Sequence, residues 1–578
     1  MRLSINTILA ALSLLAALNI PVSAQLNNKI SSVTASSGES DYQPMMACDG
    51  DMKTRWGSDF ADNQWIKYEF AGITGIRAVG IHWETAAAYS YQILVSTDNE
   101  KWQTAAEVTG ELEGNYRKIN FKKAYKVKYV MINCIERATQ WGNSIWETEF
   151  MDKPYKDVSV QPTYKTGNSF FKIRKEGDIY WLVHPDGGLF LSKGVDAVVP
   201  EDGTAKEGSE RYSVAGKFKN LRKWGASAVK RLKKLNFNTL GCWSNDHSFA
   251  YDLPFTLFIY VNVSSSHRLA DVFAPDFELN AEQVIKKYCR RMSGAKYLIG
   301  YFLDNELPWY GDVGWYTGHV TTLLDVYSNL PSVTPGSKVL AAFFKERYRD
   351  IGEFNGVWGT NFESFEEFGL YGPLTKRGGR TDEDREEFAG RVAERYFAVM
   401  TSAIRKYDTD HLILGSRFAN NAPKRVIEAC GKYCDVISLN YYAKDKILRK
   451  EVFDNMYFLG KKPVMVTEFS YRAMENASGD RNTHGADVTV QSQEDRADGF
   501  RKYVAQLMDF PYAVGYHWFM YADESPQGRS FDGENSNYGI YDIHDNIYKA
   551  LASAMTEVNS QAELMHGKAS LPYPDRAK

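Results

Sequence analysis

The chain has 578 residues, of which 44% are hydrophobic and 24% are charged, a composition typical of a globular protein with more than one domain. Its 69 basic and 72 acidic residues nearly balance and form no basic stripe, so the charge pattern argues against a nucleic-acid partner. Aromatic residues make up 14% of the chain, an excess that core packing and carbohydrate binding explain equally well.

The first residues predict a secretory signal peptide over 1–24. Arg2 precedes a short apolar run at 8–18, and small residues at 22–24 precede the expected cleavage point. The run is too short to span a membrane comfortably, and no later stretch is apolar enough to do so. We therefore expect a soluble protein without a membrane span that is secreted, periplasmic or bound at the cell surface.

Residues 27–150 predict a β-sandwich, because short apolar segments alternate with turn residues over about 120 positions. These strand-like segments are 64–70, 76–84, 90–97 and 126–135. Three motifs follow one another in the same region: "ACDGDMKTRWGS" (47–58), "STDNEKW" (96–102) and "SIWETEF" (144–150). In this order they resemble the discoidin, or coagulation-factor type C, domain, a sandwich shared with many carbohydrate-binding modules. The resemblance implies a carbohydrate-binding role for this region.

The loop at the start of this region predicts a site for a hard cation. Asp49, Asp51 and Thr54 offer oxygen atoms within one turn, and a glycine at position 50 permits the bend. The resemblance implies that Glu147 completes a structural Ca²⁺ site, with an ordinary acidic turn as the alternative. Trp141 lies in the loop "ATQWGN", where an aromatic platform for a sugar is expected.

The six cysteines have spacings that match no zinc motif. Cys430 and Cys434 lie close enough in the chain to pair, but free buried thiols are the commoner state in a large domain. We predict no disulfide, and the status of this pair stays open.

Residues 151–185 predict a linker followed by a β-hairpin, and the pattern then changes to alternating strands and helices over 186–560. Such alternation is typical of βα units and a parallel sheet, and eight units predict a (β/α)8, or TIM, barrel. A long insertion at 307–408 carries helical segments, and 561–578 form a C-terminal tail. The eight predicted strands are 189–198, 238–244, 255–262, 297–306, 412–418, 435–442, 463–470 and 513–521.

Two of these strands end in a glutamate. Glu306 follows the fourth strand in "YFLDNELPW", and Glu468 ends the seventh in "PVMVTEFS". The carboxyl ends of barrel strands form the active-site face, so the two carboxylates are expected to meet there. Hydrolysis of a glycosidic bond uses such a pair, about 5–5.5 Å apart when the anomeric configuration is retained.

The pair sits in motifs that resemble the large clan of retaining (β/α)8 glycosidases, which has Asn-Glu after strand four and Glu after strand seven. The segments "GYFLDNELPW", "HPDGGLFLSKGVDAV" and "FFKERYRDIGEFNGVWGT" are most similar to agarase-type glycoside hydrolases and their β-galactosidase relatives. The resemblance covers about residues 170–555. It implies that Glu306 is the acid/base, that Glu468 is the nucleophile and that Asn305 binds a sugar hydroxyl.

Other residues at predicted strand ends are expected to contact the substrate or the nucleophile. Either Tyr441 or Tyr442 is expected to donate a hydrogen bond to Glu468. Trp309 and Trp518 are predicted as sugar platforms, and His517 is predicted as a substrate contact or a packed core residue. Further candidates by position alone are Trp243, Arg417 and Asn440. In the loop 521–542 after strand eight, Glu534 and Asn535 are candidates for binding sugar hydroxyls, with a solvated loop as the alternative.

The sequence therefore predicts a secreted retaining glycoside hydrolase that cleaves β-linkages in a galactose-containing polysaccharide and needs no cofactor for catalysis. A hydrolase of another β-glycan, such as mannan or β-glucan, is the alternative within enzymes. A non-catalytic carbohydrate-binding protein is the alternative outside them, and the presence of both glutamates argues against it. The sequence indicates no oligomeric state.

Overall fold

The computed structural model describes residues 26–571, apart from 39–40, 85, 110–115, 140, 156–168, 215, 219, 245–252, 262–268, 312–321 and 368–373. The predicted signal peptide and the middle of the predicted linker lie outside the described residues. The chain divides into two compact units, Met1–Ser159 and Val160–Lys578.

The first unit is built on antiparallel strands. Their bounds are Ile30–Ala35 (β1), Trp56–Gly57 (β2), Gln64–Trp83 (β3), Ala88–Ser96 (β4), Gln103–Thr109 (β5), Tyr116–Arg137 (β6) and Ser144–Met151 (β7). They take the order β2-β7-β3-β6-β4-β5, and β1 pairs with β3. Short 3₁₀ turns cover Asn27–Lys29 and Pro44–Ala47.

The predicted β-sandwich is confirmed, and its core follows the period of two that the sequence shows. In β4, the side chains of Tyr91, Ile93 and Val95 are buried and alternate with more accessible ones. The predicted segments 64–70 and 76–84 belong to the single long strand β3. Irregularities in its pairing with β6 between these segments explain why the sequence pattern breaks there.

The second unit begins with a small antiparallel sheet. Its strands are Lys172–Glu176 (β8), Ile179–Val183 (β9) and Leu189–Phe190 (β10), in the order β10-β9-β8. The predicted hairpin is therefore present, and a third short strand extends it.

A parallel sheet of nine strands forms the centre of this unit. Its strands are Ser192–Val195 (β11), Thr239–Leu240 (β12), Phe255–Ile259 (β13), Leu298–Leu303 (β14), Leu412–Ile413 (β15), Phe418–Ala419 (β16), Ile437–Asn440 (β17), Val464–Phe469 (β18) and Ala513–Trp518 (β21). Two further short strands of this unit lie outside the sheet, Arg472–Ala473 (β19) and Thr489–Val490 (β20). The sheet order is β15-β14-β13-β12-β11-β21-β18-β17-β16, while β19 and β20 pair separately. Each of the eight predicted strands is present in shortened form.

The two strands at the ends of this order come from one predicted strand, 412–418. Strand β15 pairs with β14, and β16 pairs with β17. Between them, Gly415 accepts a main-chain hydrogen bond from Leu303 of β14. Gly415 has φ of +83°, and an added Cβ would lie 3.0 Å from both Ser438 Oγ and a main-chain oxygen. A residue without a side chain is required at this break in the strand.

Helices connect the strands as the sequence predicts. Their bounds are Leu221–Lys234 (α1), Pro275–Met292 (α2), Leu323–Ser328 (α3), Pro335–Arg347 (α4), Ile351–Trp358 (α5), Arg380–Tyr407 (α6), Lys424–Tyr433 (α7), Lys450–Gly460 (α8), Gln493–Met508 (α9), Lys549–Asn559 (α10) and Ala562–His566 (α11). Helices α3–α6 form the described part of the predicted insertion. Part of the predicted tail is helical, because α11 lies within it.

Among the described residues, no helix is both long and apolar enough to cross a membrane. All six cysteines are unpaired thiols.

Candidate active site

The two glutamates lie at the carboxyl ends of two parallel strands. Glu468 is near the end of β18, and Glu306 follows β14 by three residues. Since the paired strands of the central sheet are parallel, these ends lie along the same edge of the sheet. The main-chain N–H of Glu306 donates to the carbonyl of Arg417, and Asn440 of β17 is the register partner of Glu468.

Arg417 joins the two halves of the site. Its guanidinium is fully buried, and Nε donates to Asn305 Oδ1 at 2.8 Å. Nη1 donates to Cys242 Sγ at 3.1 Å, and Nη2 donates to Glu468 Oε1. Asp196 Oδ2 lies 3.5 Å from the same Nη2. The cation therefore neutralises Glu468 and at the same time fixes the side chain that precedes Glu306.

Asn440 contacts the other glutamate. Its Nδ2 donates to Glu306 Oε1 at 3.0 Å and lies 3.3 Å from Asn305 Oδ1. Its Oδ1 accepts from Thr467 Oγ1 at 2.8 Å, which fixes the orientation of the amide. Asn305 is thus held by Arg417 and Asn440, and the sequence prediction that it belongs to the site agrees with this geometry.

Of the two tyrosines considered, Tyr442 contacts the nucleophile candidate. Its hydroxyl donates to Glu468 Oε2 at 3.0 Å. The Tyr441 hydroxyl accepts instead from the main-chain N–H of Arg449, and its ring packs edge-on against Phe453 of α8. Of the two alternatives, the structure therefore selects Tyr442, because adjacent residues at a strand end point in opposite directions.

Burial raises the pKa of both glutamates, but their partners differ. Arg417 and Tyr442 oppose the rise in the pKa of Glu468, while the charge of Glu306 adds to it. Glu306 accepts a hydrogen bond from the neutral amide of Asn440, which supplies no full charge. Two nearby carboxylates do not both ionise readily, so the pair favours one shared proton over two full negative charges.

Several residues of this region have a left-handed backbone conformation that non-glycine residues rarely adopt. These residues and their φ angles are Ala197 (50°), Trp243 (58°), Asp304 (53°), Glu306 (49°) and Arg417 (50°). Each lies just beyond a strand of the central sheet or at its break. Such strain concentrates where side chains must be held in set directions for function.

Asp304, which flanks the pair, contacts only protein groups. It is fully buried, Oδ1 accepts from the N–H of Val261 at 2.7 Å, and Oδ2 accepts from the Tyr396 hydroxyl at 2.6 Å. Through the bond to Tyr396, the carboxylate of Asp304 attaches the turn that contains Glu306 to helix α6.

Three residues predicted as substrate contacts have buried side chains, and for His517 this agrees with the packed alternative. Trp309 is 2% exposed and stacks on Phe397 of α6 with ring centroids 5.7 Å apart. Trp518 is fully buried, and its Nε1 donates to the carbonyl of Tyr538. His517 is also fully buried, with Nε2 2.9 Å from Ser192 Oγ, so it is a packed core residue.

The loop after β21 adds a third carboxylate near the pair. Glu534 accepts from the Tyr538 hydroxyl at 3.1 Å and forms an ion pair with Arg529. Its negative charge contributes to the raised pKa of Glu306. Asn535 accepts from the N–H groups of Thr483 and His484, so it ties this loop to the loop after β18.

In the first unit, the predicted cation ligands lie around one loop. Thr54 donates to Asp49 Oδ2 at 2.7 Å, and the Gly50 N–H donates to Glu147 Oε2 at 3.0 Å. Burial, with a contribution from the charge of Asp49, raises the pKa of Glu147 to about 7. Asp51 accepts from a main-chain N–H of the same loop.

No group of three or more His, Cys, Asp or Glu side chains within the described ranges is arranged to hold a metal ion. The four predicted residues are therefore not a complete ligand set through their side chains alone. A buried carboxylate beside a second one is nonetheless the donor chemistry that Ca²⁺ prefers.

Trp141 of the first unit is 47% exposed, and the edge of its ring meets Phe60, which is 57% exposed, with centroids 5.6 Å apart. Trp141 is therefore accessible in this loop, as a sugar platform requires, with Phe60 as an accessible neighbouring ring.

The residues that sequence reasoning underrated are Arg417 and Asn440, which it named by position alone. Both directly contact a glutamate of the pair. The pattern that identified the glutamates, a polar residue at the end of an apolar strand, could also have predicted that Arg417 and Asn440 belong to the site. The sequence does not show which polar residues at these ends turn towards one another.

Comparison with protein families identifies one match. The model of the F5/8 type C domain matches residues 32–148, which confirms the discoidin-like prediction for the first unit.

Two curated proteins of Vibrio sp. (strain JT0107) are similar to the chain. Beta-agarase B is 25% identical over 477 residues, covering 70% of this chain and 49% of that protein. Beta-agarase A is 29% identical over 367 residues, covering 58% of this chain and 36% of that protein. The chain thus spans half or less of the length of these relatives.

A solved exo-beta-agarase structure shares the fold, with a TM-score of 0.59 and 17% identity over 94% of this chain and all of that one. Together these similarities confirm the resemblance to agarases that the motifs around Glu306 indicated.

Proposed function

We propose that the second unit is a glycoside hydrolase that cleaves β-linkages in a galactose-containing polysaccharide of the agar type. The similarity to two beta-agarases supports the substrate class. The observation that carries the proposal is the buried carboxylate pair. Glu306 and Glu468 come from strands that are not neighbours, yet Arg417 and Asn440 link them through hydrogen bonds of the same small network.

The proposed reaction retains the anomeric configuration in two displacements. In the first, the carboxyl of Glu306 gives its proton to the glycosidic oxygen while the carboxylate of Glu468 attacks the anomeric carbon. The leaving sugar departs with that proton, and a glycosyl ester remains on Glu468. In the second, the Glu306 carboxylate takes a proton from water, and the oxygen of that water displaces Glu468. Both side chains return to their starting states.

The surroundings of the two glutamates suit these roles. Arg417 and Tyr442 stabilise the negative charge that Glu468 needs as a nucleophile and regains as a leaving group. Burial favours the protonated form of Glu306, as a general acid requires. Asn305 is held close to both and can bind a hydroxyl of the sugar under attack.

The proposal includes a closed (β/α)8 barrel as the scaffold. Support comes from the segment around the break at Gly415, because β15 pairs with β14 on one side and β16 pairs with β17 on the other. A segment that pairs in both directions brings the two ends of the sheet order together. The active site then occupies the usual carboxyl face of the barrel.

The proposal assigns the first unit the role of a carbohydrate-binding module that keeps the hydrolase on its insoluble substrate. The exposed rings of Phe60 and Trp141 are its candidate contacts. Its loop would hold Ca²⁺ through Asp49, Asp51, Thr54 and Glu147, together with main-chain oxygens. Export by the predicted signal peptide matches a polysaccharide substrate, which cannot enter the cell.

Substitution of either glutamate tests the proposal. We expect E306Q and E468Q each to lower the release of reducing ends from agarose by at least about 10³-fold, since each removes an essential group. Asp304→Asn is not a suitable control because that carboxylate anchors the turn, so Glu451→Gln on α8 serves instead. NMR of the first product then reports the anomeric configuration. Unchanged turnover in E468Q would contradict the assignment, and an inverted first product would contradict the double displacement.

A panel of β-galactans, β-mannans and β-glucans separates the alternatives. Turnover of a mannan or glucan in preference to agarose would favour the hydrolase of another β-glycan. Binding without turnover of any member would favour the non-catalytic carbohydrate-binding protein.

A further inference from the structure

Trp309 and Trp518, predicted as sugar platforms of the second unit, are buried, and other aromatic rings of this unit are accessible. Trp243, just beyond β12, is 38% exposed, and Tyr260, just beyond β13, is 42% exposed. Large apolar rings on a protein surface beside an active site are the usual contacts for the apolar face of a ligand.

Trp243 lies directly over the cation that holds the nucleophile candidate. The guanidinium carbon of Arg417 is 4.7 Å from the centre of its ring, and Arg417 donates to Glu468. The ring is therefore supported from one side by a buried and fully bonded side chain. Its backbone is held in the left-handed region, at φ of 58°, which a bulky residue adopts at a cost. The strain orients an exposed indole over the guanidinium that contacts Glu468.

Tyr260 lies next to the turn that carries Glu306, because its neighbours Ile259 and Val261 both form hydrogen bonds with Asp304. Burial, together with the negative charges of Asp304 and Glu306, raises the pKa of its hydroxyl. Phe258 stands between the two exposed rings, with its centroid 5.3 Å from Trp243 and 5.4 Å from Tyr260. The three rings, in edge-to-face contact, form a continuous aromatic track from Trp243 to Tyr260.

We propose that Trp243 and Tyr260 are stacking platforms for two consecutive sugar units of the substrate, one beside Glu468 and one beside Glu306. The inference rests on the proposed function, because it assigns the units on either side of the bond that these glutamates cleave. A pyranose ring has a face of C–H groups that lies flat against an aromatic ring and loses water there. The track selects a linear chain of neutral sugars in a fixed direction past the two carboxylates.

The direction follows from the chemistry of the pair. The unit beside Glu468 is the one whose anomeric carbon is attacked, and the unit beside Glu306 is the one that leaves with the proton. Trp243 therefore binds the attacked unit and Tyr260 binds the leaving unit.

Ring deletions in the full-length protein test the platforms. In the E468Q background, which prevents turnover, we expect W243A and Y260A each to weaken binding of agarose-derived oligosaccharides by roughly 10- to 100-fold in calorimetry, from the apolar area no longer buried. W243F and Y260F keep a ring and should stay within a few-fold of the parent. Phe458→Ala is the matched control, because Phe458 is 57% exposed on the outer helix α8.

Kinetics distinguish stacking from an indirect effect through Arg417. With Glu468 intact, W243A should lower kcat/KM but leave its pH profile in place, because a platform changes binding and not the charge of Glu468. A displaced acidic limb in W243A would overturn the stacking role of Trp243. Y260A should lower kcat/KM for oligosaccharides much more than for a β-galactoside with a small leaving group, and equal losses would overturn the role of Tyr260.

The outcomes for the two proposals are separate. If E306Q and E468Q lose turnover while W243A and Y260A bind and cleave like the parent, the catalytic assignment stands and the platforms are wrong. If agarose fragments do not bind the parent, the best-bound member of the β-glycan panel replaces them as the probe. If no member binds, both proposals fail.

Discussion

Arg417 is the single residue on which the proposed chemistry depends most after the glutamates. Its guanidinium has no access to water and is shared among groups from four strand ends. A buried cation of this kind favours the ionised form of the carboxylate it contacts, so in the proposed mechanism Arg417 would set the pH range over which Glu468 is a nucleophile.

We therefore predict that R417M lowers kcat by about 10²-fold or more and moves the acidic limb of kcat/KM to higher pH. Without the cation, the pKa of Glu468 rises, and a higher pH is needed to ionise it. The pH dependence of kcat/KM measures this shift.

R417K keeps the charge but not the contacts to Asn305 and Cys242. We expect it to lower kcat but to move the acidic limb of kcat/KM less than R417M does. Arg425→Met, on the exposed surface of α7, is the control. An acidic limb in R417M that coincides with that of the parent would show that Arg417 does not tune Glu468.

The sequence located both glutamates and Asn305, because apolar strands that end in polar residues are visible as a pattern. It could not separate Tyr442 from Tyr441, since the direction of a side chain at a strand end depends on the twist of the sheet. It also misplaced Trp309, whose partner Phe397 lies 88 positions later in a helix of the insertion. Burial by a distant segment leaves no local signal.

At the scale of elements, the loop between β18 and α9 carries an unusual charge. Asp480 is 5% exposed, and neither of its carboxylate oxygens has a hydrogen-bond partner among the described residues. Burial, and then the charge of Asp523, raises the pKa of Asp480 to about 8. The folded state therefore binds the proton of Asp480 more tightly than the unfolded chain, where its pKa is about 3.9.

The sign of the effect follows from this difference. The contribution of protonated Asp480 to the free energy of unfolding is complete below about pH 4 and is lost as the pH rises towards 8. D480N should consequently be more stable than the parent at pH 8, by about 1–3 kcal/mol, and equal to it near pH 4. Urea denaturation of the second unit at several pH values measures the difference.

Asp487→Asn in the same loop is the control, because the Asp487 side chain is 72% exposed. A D480N variant that is less stable than the parent at pH 8 would contradict the prediction. It would mean that a bound cation or another group compensates the charge of Asp480.

The order of elements was predictable to a large extent. The eight predicted strands of the central sheet and the described helices of the insertion follow from their hydrophobic periods. The break at Gly415 was not predictable, because the apolar run continues through it. The sequence also did not predict that the segments 64–70 and 76–84 form the single strand β3. A bulge between them interrupts the alternation of side chains without ending the strand.

At the scale of the whole molecule, the two units divide the work of attachment and cleavage in the proposed function. We predict that the double variant F60A/W141A loses at least about 10-fold in affinity for insoluble agarose, because two exposed rings no longer bury apolar area against it. Its kcat/KM for soluble oligosaccharides should equal that of the parent. Sedimentation with the polysaccharide measures the first quantity, and reducing-end assays measure the second.

Ile73→Ala removes another apolar group of the first unit that is 65% exposed, and it should change neither quantity. Retained binding in F60A/W141A would move the contact surface elsewhere on this unit.

Ca²⁺ is expected to stabilise the first unit through Glu147. Addition of Ca²⁺ should raise the unfolding temperature of this unit in the parent, because a ligand that binds the folded state alone shifts the equilibrium towards it. E147Q removes one negative ligand and should abolish the increase, whereas Glu100→Gln on the surface should preserve it. Differential scanning calorimetry with EGTA and with Ca²⁺ makes the comparison. An identical response in E147Q and the parent would exclude this loop as the site.

The way Arg417 is held has a consequence for how the molecule matures. Its partners Asp196, Cys242, Asn305 and Glu468 are contributed by distant parts of the chain and meet only when the sheet is complete. An intermediate that lacks one of them carries an uncompensated cation at its centre and has no oriented nucleophile. During refolding, enzymatic competence will consequently return later than helical content, and half-assembled chains will be inert towards their polymer.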